Sequence, residues 1–379
     1  MSDYIVSARK YRPRTFASVV GQSHVTQTLK SAILMGQLAH AFLFSGPRGV
    51  GKTTCARILA KAINCHNLQD DGEPCNACES CKAYNEGKSF NIHELDAASN
   101  NSVDDIRNLI EQTRYVPTGG GKSVYIIDEV HMLSQAAFNA FLKTLEEPPA
   151  HVLFILATTE KHKILPTILS RCQKFDFRRI KAEDVAQHLA YISKEEGVDF
   201  DHAALQQIAL KADGALRDAL SLYDQLVSYT SQKLTFEHVL ENLNILDYEY
   251  YFRAVDMIQQ QNHSQLLLDL DEIIGRGFEA KDFMVGLTEH FRNLLICQSP
   301  ETLKLLETSE NVRQRYQEQS TQLSPSFLLN AFNLCTESER QSKVATHPRP
   351  TVELALAQLA HLAQAIRVAQ APSLEKKNH

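Results

Sequence analysis

The sequence predicts an α/β fold, a parallel sheet covered by helices, followed by two all-helical regions. Three observations predict it. Up to about Arg179, short apolar runs alternate with segments of helical periodicity, as a parallel sheet with crossover helices requires. From Ile180 onward strand signals vanish, and apolar residues recur at three-to-four spacing. The chain has 379 residues, enough for two or three separate cores.

The strand candidates are "AFLFS" from Ala41, "NIHELD" from Asn91, "SVYIIDE" from Ser123, "HVLFILATT" from His151 and "CQKFDF" from Cys172. The segments "AEDVAQHLAYISKEEG" from Ala182, "HAALQQIALKADG" from His202 and "ALRDALSLYDQLVSY" from Ala215 read as a small helical domain. A second helical set includes "HSQLLLDLDEIIGRG" and "FMVGLTEHFRNLLIC". The expected boundaries are 1–179, 180–244 and 245–369, with a polar, frayed tail at 370–379.

The densest apolar run, "VLFILA" from Val152, is far short of the roughly 18 residues that span a membrane. The N-terminal stretch lacks the apolar core of a signal peptide, so the expected compartment is the cytoplasm, where thiols stay reduced. The net charge of −6 argues against nonspecific coating of DNA. Any contact with nucleic acid is expected to use a local patch or to need help.

"GPRGVGKTT" fits G-x-x-x-x-G-K-[ST] between a strand and a helix. The loop Gly46, Pro47, Arg48, Gly49, Val50, Gly51, Lys52, Thr53, Thr54 is the expected phosphate cradle. Its glycines let backbone N–H groups curl round phosphate at a helix N-terminus. Lys52 is expected to reach the β- and γ-phosphates and Thr53 to ligate Mg²⁺. In "SVYIIDEVHML", Asp128 is the expected second Mg²⁺ holder, and Glu129 is placed to orient and deprotonate a water. His131 reads as packing. Thr158 and Thr159 end a buried strand, where a hydroxyl could sense the γ-phosphate. Arg171 in "ILSRCQKF" and Arg217 in "GALRDALS" are of the type that neutralises phosphate charge, or that makes a surface ion pair.

Cys65, Cys75, Cys78 and Cys81 form a second constellation. Four thiolates on so short a segment can close a tetrahedral Zn²⁺ site with no open position for water. An iron–sulfur cluster and unrelated buried thiols are the alternatives, and the ferredoxin run C-x-x-C-x-x-C-x-x-x-C-P is missing. A metal would give this small insert the core it cannot pack from side chains.

Taken in order, the phosphate loop, the four-cysteine insert, "IIDEVHMLS", "FNAFLKTLEEPP", "LATTE", "ILSRCQKF" and "GALRDALS" resemble the bacterial clamp-loader ATPases, the gamma/tau family of DNA polymerase III subunits. The resemblance is strong from about Tyr4 to Leu226. It implies an AAA+ module: a RecA-like P-loop NTPase domain over 1–179 with a zinc module at 64–84, a helical lid over 180–244, and an oligomerising collar over 245–369. It implies adenine-side contacts from Tyr11, Arg12, Pro13, Val19 and Val20, with Thr158 as sensor 1 and Arg217 as sensor 2. Arg171 would be the arginine finger for a neighbouring subunit, and Arg107 and Lys143 would face DNA phosphates. The implied cofactors are ATP, Mg²⁺ and Zn²⁺. The implied partners are delta, delta-prime and further gamma/tau copies in a pentamer, the sliding clamp and primed DNA, with no membrane. The implied activity is ATP hydrolysis that loads the clamp and then releases it.

Two other classes compete with this reading. A DNA-translocating AAA+ motor is disfavoured by the cysteine insert and by the all-helical final third, which shows no winged-helix pattern. A non-enzymatic scaffold is disfavoured by intact Lys52, Thr53, Asp128 and Glu129.

Overall fold

The computed structural model describes residues 5–117, 120–230, 232–243, 246–306, 308 and 310–370. The expected boundary at 244/245 and the tail at 371–379 lie outside these. Internal packing divides the chain into two units, Met1–Thr235 and Phe236–His379.

The first unit is built on five parallel strands: β1 (Ala41–Ser45), β2 (Ile92–Asp96), β3 (Ser123–Asp128), β4 (Val152–Thr158) and β5 (Gln173–Asp176). Each lies within the run that predicted it. Their order is β2-β3-β4-β1-β5. Every residue of β1 and β4 is buried, which explains why both read as continuous apolar runs rather than alternating ones. One face packs Phe42, Phe44 and Ile155 against Leu59 of the helix Lys52–Ile63. The other packs Leu43, Tyr125 and Phe154 against Phe141 of the helix Gln135–Glu146.

Register decides where the chemistry falls. Ser45 pairs with Thr158, and Asp96 pairs with Asp128. The carboxyl ends of β1, β3 and β4 therefore share one rim, where open α/β sheets bind ligands.

One expectation needs correcting. Beyond Ile180 the structure has two further strands, β6 (Asp199–Phe200) and β7 (Lys233–Leu234), paired in parallel. Two residues are too few to show a period of two, so the pattern could not reveal them.

The second unit is helical among its described residues. Its longer helices are Tyr248–Gln259, His263–Gly275, Ala280–Ile296, Pro325–Val344 and Pro348–Gln370. Ser324 caps one of them, accepting from the Phe327 N–H at 3.2 Å, and Pro325 sits at its first position, where no N–H is needed. Gly286, in the helix Ala280–Ile296, lets Tyr251 pack against bare backbone. A Cβ there would lie 2.0 Å from the Tyr251 hydroxyl oxygen.

Candidate active site and metal centre

The phosphate loop leaves β1 and enters the helix Lys52–Ile63 through Gly51, which adopts φ 103°. Gly46, at φ 149°, runs so close to Phe177 that a Cβ would lie 2.4 Å from its carbonyl oxygen. Lys52 is buried, and its ammonium donates to the carbonyls of Gly46 at 2.8 Å and Pro47 at 2.7 Å. Burial lowers its pKa. The Thr53 hydroxyl donates to Asp128 Oδ2 at 2.6 Å. The structure thus brings together the two side chains that the sequence assigns to one cation.

Glu129 follows Asp128 in a left-handed conformation, φ 48° and ψ 44°. This turns its side chain toward the end of β4. There Glu129 Oε2 accepts from the Thr159 hydroxyl at 2.9 Å and the Thr159 N–H at 3.2 Å. Thr158 is fully buried, and its hydroxyl lies 3.1 Å from His131 Nδ1. The His131 ring is buried, as packing requires, yet both nitrogens are engaged: Nδ1 also lies 3.4 Å from Glu129, and Nε2 3.2 Å from Glu160. Sequence reading missed this network, because it joins two strand ends that only the sheet order makes neighbours.

A cavity of about 1190 Å³ opens above the loop. Tyr11, Arg12, Pro13, Val19, Val20, Arg48, Gly49, Val50, Gly51, Lys52, Thr53, Thr54, Asp128, Glu129 and Arg217 all line it. Residues 11–20 form a strap along one wall. Tyr11 donates its hydroxyl to Glu196, and the Ser7 N–H donates to Asp224 at 2.7 Å. Gln22, buried at the strap's end, bonds the Arg178 carbonyl at 2.7 Å. Among the described residues, Arg12, Arg48 and Arg217 have no carboxylate within 4 Å. Desolvation, with neighbouring Arg57, lowers the Arg12 pKa.

Gly46, Pro47 and Thr158 do not line this cavity, and three further expected residues stand away from it. Arg171 pairs with Glu146 at 2.7 Å and donates to the Thr167 carbonyl at 2.7 Å. Arg107 makes an exposed pair with Asp104 at 3.2 Å. Lys143 is exposed on the helix Gln135–Glu146.

The four cysteines converge. The Sγ atoms of Cys65, Cys75, Cys78 and Cys81 all lie within 4.8 Å of one another, with Cys65 3.5 Å from Cys75 and 4.0 Å from Cys78. Tetrahedral zinc–thiolate geometry, with bonds of about 2.3 Å, separates sulfurs by about 3.8 Å, so the donor set fits such an ion. Asn76 takes φ 55°, and this turn aims the N–H groups of Ala77 and Cys78 at Cys75 Sγ. Those bonds hold the Cys75 thiol down to about 6. Burial pushes Cys81 up.

Comparison with known proteins places the chain. Residues 21–181 match the family described as DNA polymerase III, delta subunit; residues 184–232 match the clamp loader subunit ATPase lid domain; residues 234–372 match gamma and tau domain III. The DNA polymerase III gamma subunit of Buchnera aphidicola is 37% identical over 297 residues, covering 78% of this chain and 82% of that protein. The chain belongs to the gamma/tau family of DNA polymerase III subunits. The tau subunit of Bacillus subtilis is 40% identical over 93% of this chain, and that of Escherichia coli 42% over 79%. Of those two gamma/tau proteins the chain spans only 62% and 47%. The Thermotoga maritima RuvB Holliday junction branch migration motor reaches a TM-score of 0.46 at 20% identity, over 65% of this chain and 79% of its own. Among the described residues no helix is long and apolar enough to cross a membrane.

Proposed function

We propose that the chain is an ATP-driven subunit of the DNA polymerase III clamp loader, opening a sliding clamp and placing it on primed DNA, with hydrolysis releasing the clamp. The observation that carries this reading is the 2.6 Å bond from Thr53 to Asp128 inside a phosphate-loop cavity, on a chain of the gamma/tau family.

The geometry and the family resemblance support the following roles. The loop's backbone and Lys52 hold the phosphates, with Lys52 exchanging two carbonyl partners for phosphate oxygens. Thr53 and Asp128 would hold Mg²⁺, which supplies charge neutralisation at those oxygens. Glu129, freed from Thr159, accepts the proton of the attacking water on its carboxylate. Thr158 reports on that water through His131 and Glu129. Tyr11, Arg12, Pro13, Val19 and Val20 flank the base, and Arg217 reaches the phosphates from the lid. Arg171 serves the site of an adjacent subunit, leaving Glu146 on assembly. Arg107 and Lys143 meet DNA phosphates. Cys65, Cys75, Cys78 and Cys81 hold one structural zinc. In this reading 1–179 is the ATPase domain, 180–244 the lid and 245–369 the collar. The collar joins delta, delta-prime and further gamma/tau copies in a pentamer.

The test is ATPase rate in the assembled complex, with and without clamp and primed DNA. The expected result is stimulation that needs both, abolished by Lys52→Ala through lost nucleotide binding in a folded chain. A rate indifferent to clamp and primer junction would indicate a motor instead.

A further inference from the structure

The cysteine cluster is tied to the nucleotide cavity at three points. Glu73, two residues before Cys75, is 4% exposed. Its carboxylate accepts the N–H groups of Phe16 at 2.7 Å and Ala17 at 2.8 Å. It thereby caps the short helix Phe16–Ser18, which delivers Val19 and Val20 to the cavity wall. Asn76, in the turn between Cys75 and Cys78, accepts from the Lys61 ammonium at 2.5 Å. Lys61 is 4% exposed and belongs to the helix that begins at Lys52. Tyr84, one turn after Cys81, bonds the Arg57 guanidinium at 2.9 Å and Glu94 of β2 at 2.5 Å. Arg57 lines the cavity one turn beyond Thr53.

We propose that metal occupancy of the cysteine cluster and nucleotide occupancy of the cavity are energetically coupled, with Glu73, Lys61 and Arg57 as positioning residues. The inference rests on the nucleotide and metal readings given above. Without a metal the segment 65–85 has few apolar side chains to hold its shape. Its loosening parts the buried Glu73 carboxylate from Phe16, Ala17 and Lys30 and the buried Lys61 ammonium from Asn76, and leaves Arg57 with Glu94 alone, so these groups no longer keep one conformation. The strap and the phosphate-loop helix both lose a brace, and the cavity must be ordered again when nucleotide enters. A nucleotide that orders those walls favours the metal-bound form by the same factor, because linkage is reciprocal.

The experiment uses the full chain and two probes, ADP and zinc. Chelator-stripped protein is expected to bind ADP roughly tenfold more weakly than zinc-loaded protein, and saturating ADP is expected to tighten zinc by the same factor in a chelator competition. Equal ADP affinity in both forms, with unchanged circular dichroism, would overturn the coupling. Should stripping unfold the chain, Glu73→Gln on zinc-loaded protein decides. It keeps the side-chain volume and the four thiols. A several-fold loss of ADP affinity with stoichiometric zinc retained supports the inference, and unchanged affinity overturns it. Zinc-loaded wild type that binds no ADP would overturn the nucleotide reading itself, and a chain that takes up no zinc would overturn the metal reading and the coupling with it.

Discussion

Arg12, Arg48 and Arg217, at the cavity of the first unit, differ in company from Arg253, Arg276, Arg315 and Arg349 of the second. In the second unit Arg253 pairs with Asp269 at 2.8 Å, Arg276 with Glu272 at 2.7 Å and Arg349 with Glu353 at 2.7 Å, and Arg315 pairs with Glu249. Around the cavity of the first unit, Arg12, Arg48 and Arg217 stand without a carboxylate among the described residues. Arg12 also has Arg57 and Arg217 as neighbours, which works against its own charge. Paired cations belong to the fold, and their charge is already answered. Crowded, unanswered cations beside a glycine-rich loop are a cost to the free protein that a polyanion removes.

This contrast is broken most sharply at the acid it surrounds. Glu129→Gln keeps the shape of the side chain but cannot take a proton. Hydrolysis in assembled complexes is expected to fall by roughly 10² to 10⁴ while ATP affinity stays within a few-fold. Single-turnover rates beside equilibrium binding check this. Loss of binding without loss of rate would move the base elsewhere.

The second unit has its own buried polar group, one that holds the fold. His290 is 1% exposed. Gln319 uses its amide to donate to the Phe252 carbonyl at 2.9 Å and to Asp256 at 2.7 Å. Its carbonyl therefore accepts from His290 Nε2 at 2.9 Å, which leaves Nδ1 unprotonated and without a partner among the described residues. Burial lowers the His290 pKa from 6.5 to about 4, with Arg315 adding repulsion. The native state thus binds fewer protons than the unfolded chain. The stability tied to the neutral ring is complete above pH 6.5 and is lost as pH falls from 6.5 toward 4, by about 3 kcal/mol in all. Denaturant melts of the chain across this range should show that slope, and His290→Gln should flatten it.

The smallest effect is expected where charge is already answered. Arg253→Ala removes a half-exposed partner from Asp269, which retains Gln265 at 3.0 Å. A loss of about 1 kcal/mol is expected in a denaturant melt, with ATP affinity unchanged. Arg217→Ala is its counterpart: ATP affinity should drop roughly tenfold with little change in the melt, as for any charge-assisted contact made only with ligand. If the two variants behaved alike, company would not distinguish the two kinds of arginine.

Much of this is legible in the sequence. The five sheet strands were visible because buried parallel strands are apolar throughout, and the phosphate loop because its spacing is short and local. Cys75, Cys78 and Cys81 were visible for the same reason. What stayed hidden was long-range. Glu73 meets Phe16 across 57 positions and Thr159 meets Glu129 across 30, and no local period encodes either. His131 looked like filler because a single histidine after a strand carries no pattern. Two of its partners, Thr158 and Glu160, come from the end of β4 and just beyond it, and only the order β2-β3-β4-β1-β5 sets them beside it.

Gly286 has a consequence for genetics. A helix interior normally welcomes alanine, which stiffens the unfolded chain and adds stability. Here the added methyl would have to displace the Tyr251 ring, itself stacked on Phe283 with centroids 5.7 Å apart. A collision of that kind in a packed helical unit costs about 1 to 3 kcal/mol, enough to lower a melting midpoint by several degrees without touching the nucleotide chemistry. Gly286→Ala is therefore the substitution of choice for a conditional allele: a strain that grows at low temperature, stops when warmed, and is restored by a second change that shrinks Tyr251.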